Sequence, residues 1–110
     1  MQDLSNLVVY NDGELELKVS VDSETIWLTQ LQMSQLFDTS TDNVGLHLKN
    51  IYLEKELDEN STTEFFSVVR KEGNRLVKRE LKHYNLDVII CVGYRVSSLR
   101  ATKFRQWATS

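Results

Sequence analysis

Proline is absent from this 110-residue chain, cysteine occurs once, glycine four times and histidine twice. Without proline there is no proline-rich linker, and no repeat or low-complexity tract divides the sequence. Residues 1–110 therefore read as one domain, with 41% hydrophobic residues to supply one modest core. A single cysteine, Cys91, excludes a disulfide framework, and its place in an apolar run points to a buried, inert thiol in a reducing, cytoplasmic setting. The longest apolar run, Val88 to Val92, is far too short for a bilayer, and Met1-Gln2-Asp3 opens no signal peptide, so no membrane partner is expected. The scattered glycines form no phosphate-cradling loop. His47 and His83 stand far apart, and no spacing suits zinc or an activated nucleophile. A non-enzymatic protein with no cofactor and no metal is the expectation.

The net charge of −3 hides a lopsided distribution. Up to Glu64 three basic residues face thirteen acidic ones; from Phe65 onward ten basic residues face only Glu72, Glu80 and Asp87. Charge is felt over about 8 Å at physiological salt, so a basic face can attract a polyanion although the whole molecule is acidic. The acidic run Glu54 to Glu59 invites a catalytic or metal reading, but with no histidine nearby a solvated face is the plainer one.

The stretch from Trp27 to Tyr52 has the pattern of two helices joined by a tight turn. Thr29 and Gln32 form a capping box. Met33, Leu36 and Phe37 give the first helix an apolar face. Asp38, Thr39 and Ser40 then supply a turn and a new cap. Val44, Leu48, Ile51 and Tyr52 follow as the buried stripe of a second helix, with Asn43, His47 and Asn50 expected roughly opposite it. Ser34, Asp38 and Val44 stand at the spacing a helix-turn-helix uses. An amphipathic helical hairpin inside a small domain is the competing reading.

Leu7 to Tyr10 and Leu15 to Val21 flank Asn11-Asp12-Gly13, a hairpin signal. Phe65 to Val69 and Leu76 to Leu81 flank a second turn at Gly73-Asn74, where both residues can take positive φ. That second hairpin is basic. Following a helix pair, it reads as a wing, or as an ordinary edge hairpin whose cations prevent aggregation. Asn85 to Val96 suits a strand by propensity and a helix by its cap, Asn85; a helix ending at Gly93 is favoured. Ser97 or Ser98 caps a last helix with Ala101, Phe104, Trp107 and Ala108 on its apolar face, which looks unfinished at Ser110, as in a fragment of something longer. The expected fold is α+β: a small winged-helix-like domain with a helix-turn-helix, two β-hairpins and two C-terminal helices.

WLTQLQMSQLF, GLHLKNIYLEKELDENS and HYNLDVIICVGYRVSSLRATKFRQWATS resemble the N-terminal domain of the RhuM-type virulence protein family of bacteria. More distantly, Gly93-Tyr94-Arg95 and Phe104 with Trp107 resemble the Bro-N and KilA-N domains of phages and large DNA viruses. That likeness implies DNA binding. Where the family resemblance implies a basic residue and a glutamine at the start of the second helix, this chain has Thr41 and Asp42.

The functional expectation is double-stranded DNA binding, in a role such as a transcriptional regulator. Asn43, His47 and Asn50 would read base edges, with Lys49 as a further cation of the second helix. Ser40 and Thr41 would touch phosphate at its start. Arg70, Lys71, Arg75 and Lys78 would hold the backbone, supported by Arg100 and Lys103. The alternative is a protein-protein interaction module on the same scaffold, acting through a homodimer or a protein partner, motivated by Asp42 and the acidic first half.

Overall fold

Local capping sets the helices, as the computed structural model shows; it describes residues 2–3, 7–22 and 24–110. Thr29 caps α1 (Gln30–Leu36) with both arms of the capping box in place: Gln32 N–H donates to Thr29 Oγ1 at 3.2 Å and Thr29 N–H to Gln32 Oε1 at 3.0 Å. Ser40 caps α2 (Thr41–Leu53), Asp58 the one-turn α3 (Glu59–Thr62), Asn85 α4 (Leu86–Val96) and Ser97 α5 (Ser98–Ala108). Each such side chain satisfies a backbone N–H that the helix leaves orphaned, and losing one costs about 1 kcal/mol.

The strands are β1 (Gln2–Asp3), β2 (Leu7–Asn11), β3 (Glu16–Val21), β4 (Ile26–Thr29), β5 (Thr63–Glu72) and β6 (Arg75–Asn85). They form one sheet in the order β1-β5-β6-β4-β3-β2, antiparallel except where β1 lies parallel to β5. The chain is thus α+β. Asp3 ends at one margin of the sheet and Leu7 begins at the other. Four residue steps span at most about 14 Å, whereas five strand spacings in a flat sheet would span about 24 Å. The sheet must therefore curl.

Helices cover one face of the sheet, where Tyr10, Val19, Leu28 and Tyr84 meet Phe37, Val44, Ile51, Val88 and Phe104. On the opposite face Phe66 stacks edge-on to Trp27 and to His83, with centroids 5.3 and 5.2 Å apart. His83 is buried there, as a packing residue near a strand end; burial pushes its imidazole below the usual range, opposed by a hydrogen bond to Leu81 O.

Several expectations need correction. Both arms of the second hairpin are longer than the apolar runs suggested. Of Gly73 and Asn74 only Gly73 has positive φ, at 63°, which suits a two-residue turn with glycine first. α4 does not stop at Gly93 but runs through it to Val96. A Cβ on Gly93 would lie 2.6 Å from Phe37 Cζ and 2.7 Å from Ala101 Cβ, so this glycine serves close helix packing and not a C-cap. Cys91 is half-buried, not fully buried. Its thiol donates to Glu56 Oε1 at 3.1 Å, and burial with that carboxylate pushes it up to about 11, which keeps it protonated.

Candidate nucleic-acid interface

The turn between α1 and α2 is held from four directions. Asp38 takes φ 53°, the left-handed conformation that reverses the chain, and Thr39 N–H returns to Ser34 O at 3.0 Å. Ser34 is buried, its hydroxyl donating to Leu31 O, which leaves room for α2 to cross closely. Arg100 of α5 donates to Leu36 O at 3.2 Å and so caps α1 from outside. Gln30 Nε2 donates to Thr41 O at 2.7 Å, and its amide lies across Gly45, where a Cβ would sit 2.8 Å away.

On α2, Val44, Leu48 and Ile51 are buried as expected. Asn43, His47 and Asn50 are not opposite them. They are half-buried on one flank, in line with Glu54, whose carboxylate bonds Arg95 of α4. Asn43 Nδ2 donates to Thr39 Oγ1 at 2.9 Å, and His47 Nδ1 is buried with no partner among the described residues. The outer ridge is Asp42, Leu46, Lys49 and Leu53, with Leu46 54% and Leu53 68% exposed. Counting 100° per residue from Val44 would have found this ridge, because Leu46 and Leu53 fall near 200° and 180°. The polar character of Asn43, His47 and Asn50 drew attention to the flank instead.

The other expected contacts divide in the same way. Ser40 spends its hydroxyl on Asn43 N–H, while Thr41 and Lys49 are exposed. Arg100 is committed to Leu36 O and lies 3.6 Å from Glu14. Lys103 is exposed beside Asp12 and helps hold that carboxyl low, after the stronger backbone hydrogen bonds from Glu14 and Leu15. On the second hairpin Glu72 accepts from Arg79 at 2.9 and 3.1 Å and from Arg70 at 3.0 Å. Those bonds, Arg79 first, bring Glu72 down to about 2. Lys71 and Arg75 are exposed and take part in no ion pair among the described residues. Lys78 is exposed on the same hairpin.

Tertiary pairing therefore consumes much of the charge asymmetry. Glu14, Glu54, Glu56 and Glu59 of the acidic half meet Arg100, Arg95 and Lys82 of the basic half. The acidic run after α2 is an ion-paired surface against α4 and β6.

One geometric feature joins α2 to the hairpin. A groove of about 480 Å³ runs between Lys49 and Leu53 of α2 and Tyr84 of β6. A second of about 290 Å³ adjoins it, reaching Leu31, Lys82 and Arg70. Gln30 and Tyr84 line both, so one continuous surface leads from Lys49 to Arg70.

Residues 61–110 match the family described as virulence protein RhuM. The matched segment holds both arms of the basic hairpin together with α4 and α5; the α1–α2 pair lies outside it. No curated protein and no solved structure matches the chain. Among the described residues no helix is long and apolar enough to cross a membrane.

Proposed function

We propose that this domain binds double-stranded DNA without catalysing a reaction, using α1–α2 as a helix-turn-helix and β5–β6 as its wing. The observation that carries this reading is the continuous surface from α2 to the cationic hairpin. β4 leads directly into α1 and pairs with β6, so helix pair and hairpin hang from one strand and hold a fixed relation. Lys71 and Arg75 at the hairpin end take part in no ion pair among the described residues, and Arg70, paired with Glu72, directly precedes Lys71. Phosphate contacts of this kind position a duplex without reading it. Kinship with Bro-N and KilA-N domains belongs to the same proposal. Gly93 and Phe104, which carry part of that resemblance, are core residues, so their likeness speaks for a shared scaffold and not for a shared DNA contact. A transcriptional regulator is the role that fits such a domain.

Fluorescence anisotropy of mixed-sequence duplexes at several salt concentrations tests the reading. If Arg70, Lys71 and Arg75 neutralise about three phosphates, log K falls against log salt with a slope of about −2.7. Changing Lys71 and Arg75 together to Ala flattens that slope by about 2. No duplex binding at low salt, or binding indifferent to salt, removes the proposal. The exposed Leu31, Leu46 and Leu53 favour a second reading, a protein-interaction module. It predicts self-association or partner binding that Leu46→Ala weakens and salt leaves largely unchanged.

A further inference from the structure

Three features compete for attention beyond the general interface: the cleft between β2 and β5, the Glu56–Cys91–Arg95 cluster, and the outer ridge of α2. Nothing in the structure says what would cover the cleft, and the thiol is a lone cysteine already bonded to Glu56. The ridge carries more. Asp42, Leu46 and Lys49 stand at i, i+4 and i+7 and are all exposed, so they form one line along the helix. They span about 10.5 Å of helix, close to three steps of about 3.4 Å between stacked base pairs. Their chemistries differ and each suits a different base edge. A carboxylate only accepts, so Asp42 suits the amino group of cytosine, whereas adenine sets the N7 acceptor beside its amino group and guanine and thymine offer acceptors. Leu46 offers apolar contact that fits the thymine methyl. Lys49 donates, matching the two acceptors of guanine. The flank that holds Asn43, His47 and Asn50 is half-buried, and Asn43 donates an amide N–H to Thr39.

Resting on the DNA-binding reading above, we propose that Asp42, Leu46 and Lys49 determine sequence specificity by reading cytosine, thymine and guanine, in that order along the axis of α2, in the major groove. The occupant is a duplex because Lys49 of the ridge also lines the surface that leads to Arg70, and the exposed Lys71 and Arg75 stand at the adjoining hairpin end, where their charge complements phosphate. Asp42 then acts as a filter. It forfeits general phosphate affinity at the helix start and gains discrimination for cytosine, whose amino group has no acceptor beside it in the groove.

Selection from randomised duplexes, using the whole 110-residue chain, tests the assignment. The selected site is expected to hold the three bases within about four consecutive pairs. Asp42→Asn replaces an acceptor by an amide that pairs with adenine, so the preference at its position moves from cytosine to adenine. Lys49→Ala lowers the preference for guanine roughly tenfold, and Asn43→Ala or Asn50→Ala leaves the selected sequence unchanged. All four changes are near the surface, and matched melting temperatures show that folding is not the cause. Salt-dependent binding without the Asp42→Asn switch, or a site that changes with Asn43 and Asn50 instead, overturns this assignment and leaves DNA binding standing. Absence of binding to any duplex overturns both. Self-association abolished by Leu46→Ala, with no base preference, hands the ridge to a protein partner.

Discussion

The β2–β3 hairpin ends in an acidic turn and lies beneath α5, whereas the β5–β6 hairpin ends in a basic turn and has no buried residue from Val68 to Lys82. In the first, Tyr10 meets Phe104 and Trp107 edge-on, each 5.1 Å away. Asp12 accepts from Glu14 N–H and Leu15 N–H, so even the turn is tied down. In the second, Glu72 joins Arg70 and Arg79 in an exposed ionic cluster beyond the base. One hairpin is part of the core and the other is displayed by it. A displayed hairpin can carry cations at little cost in stability, because their solvation is not lost. That freedom is what a backbone-contacting element needs.

Truncation breaks the contrast most sharply. Phe104→Ala empties the site over the first hairpin and is expected to cost about 3–5 kcal/mol in urea unfolding. Leu76→Ala, at a side chain 76% exposed, stays within about 0.5 kcal/mol. Comparable losses from the two would place the second hairpin in the core after all.

A smaller effect comes from the two turn glycines. Gly13 at φ 94° and Gly73 at φ 63° both occupy conformations that side chains disfavour, with nothing within 4 Å of a Cβ. Alanine at either is expected to cost about 1 kcal/mol through backbone strain alone. Gly13→Ala should lower global stability. Gly73→Ala should appear chiefly as faster amide exchange in the outer hairpin and weaker duplex binding. Equal global losses would erase the distinction.

The smallest effect is electrostatic. Glu72 is shifted from 4.5 to about 2 by Arg79 and Arg70, so its carboxylate favours the paired hairpin above pH 4.5. That contribution is lost as pH falls towards 2, when the folded form takes up the proton as well. Carbon-detected titration of Glu72 should show the low midpoint, while the global unfolding midpoint scarcely follows it, because the ion pairs lie at the surface, where solvent screens them. A Glu72 midpoint near 4.5 would dissolve the cluster.

Much of the helical half was legible because its signals are local. Thr29 with Gln32, Ser40 and Asn85 each act on the backbone within three residues, and each cap is found where the side chains predict it. The turn at Asp38 follows for the same reason. β4 escaped notice, since Ile26 to Thr29 is too short to show a period and becomes a strand only by pairing with β3 and β6. The arms of the second hairpin outran their apolar runs because pairing of Arg75 with Glu72 and of Tyr84 with Thr63 continues through polar residues. Of the candidate site, the cationic hairpin and the phase of the α2 ridge could be read directly; the pairing of Glu54 with Arg95, on the flank that holds Asn43 and His47, could not, since it joins residues 41 positions apart.

Residue order by itself determined where helices start, where the chain turns and which stripe of each helix is apolar, for these depend on neighbours a few positions apart. Only the tertiary structure decided which charges remain unspent. Glu54, Glu56 and Glu59 lie tens of residues from Arg95 and Lys82, and Coulomb attraction depends on distance in space, which the order of residues does not contain.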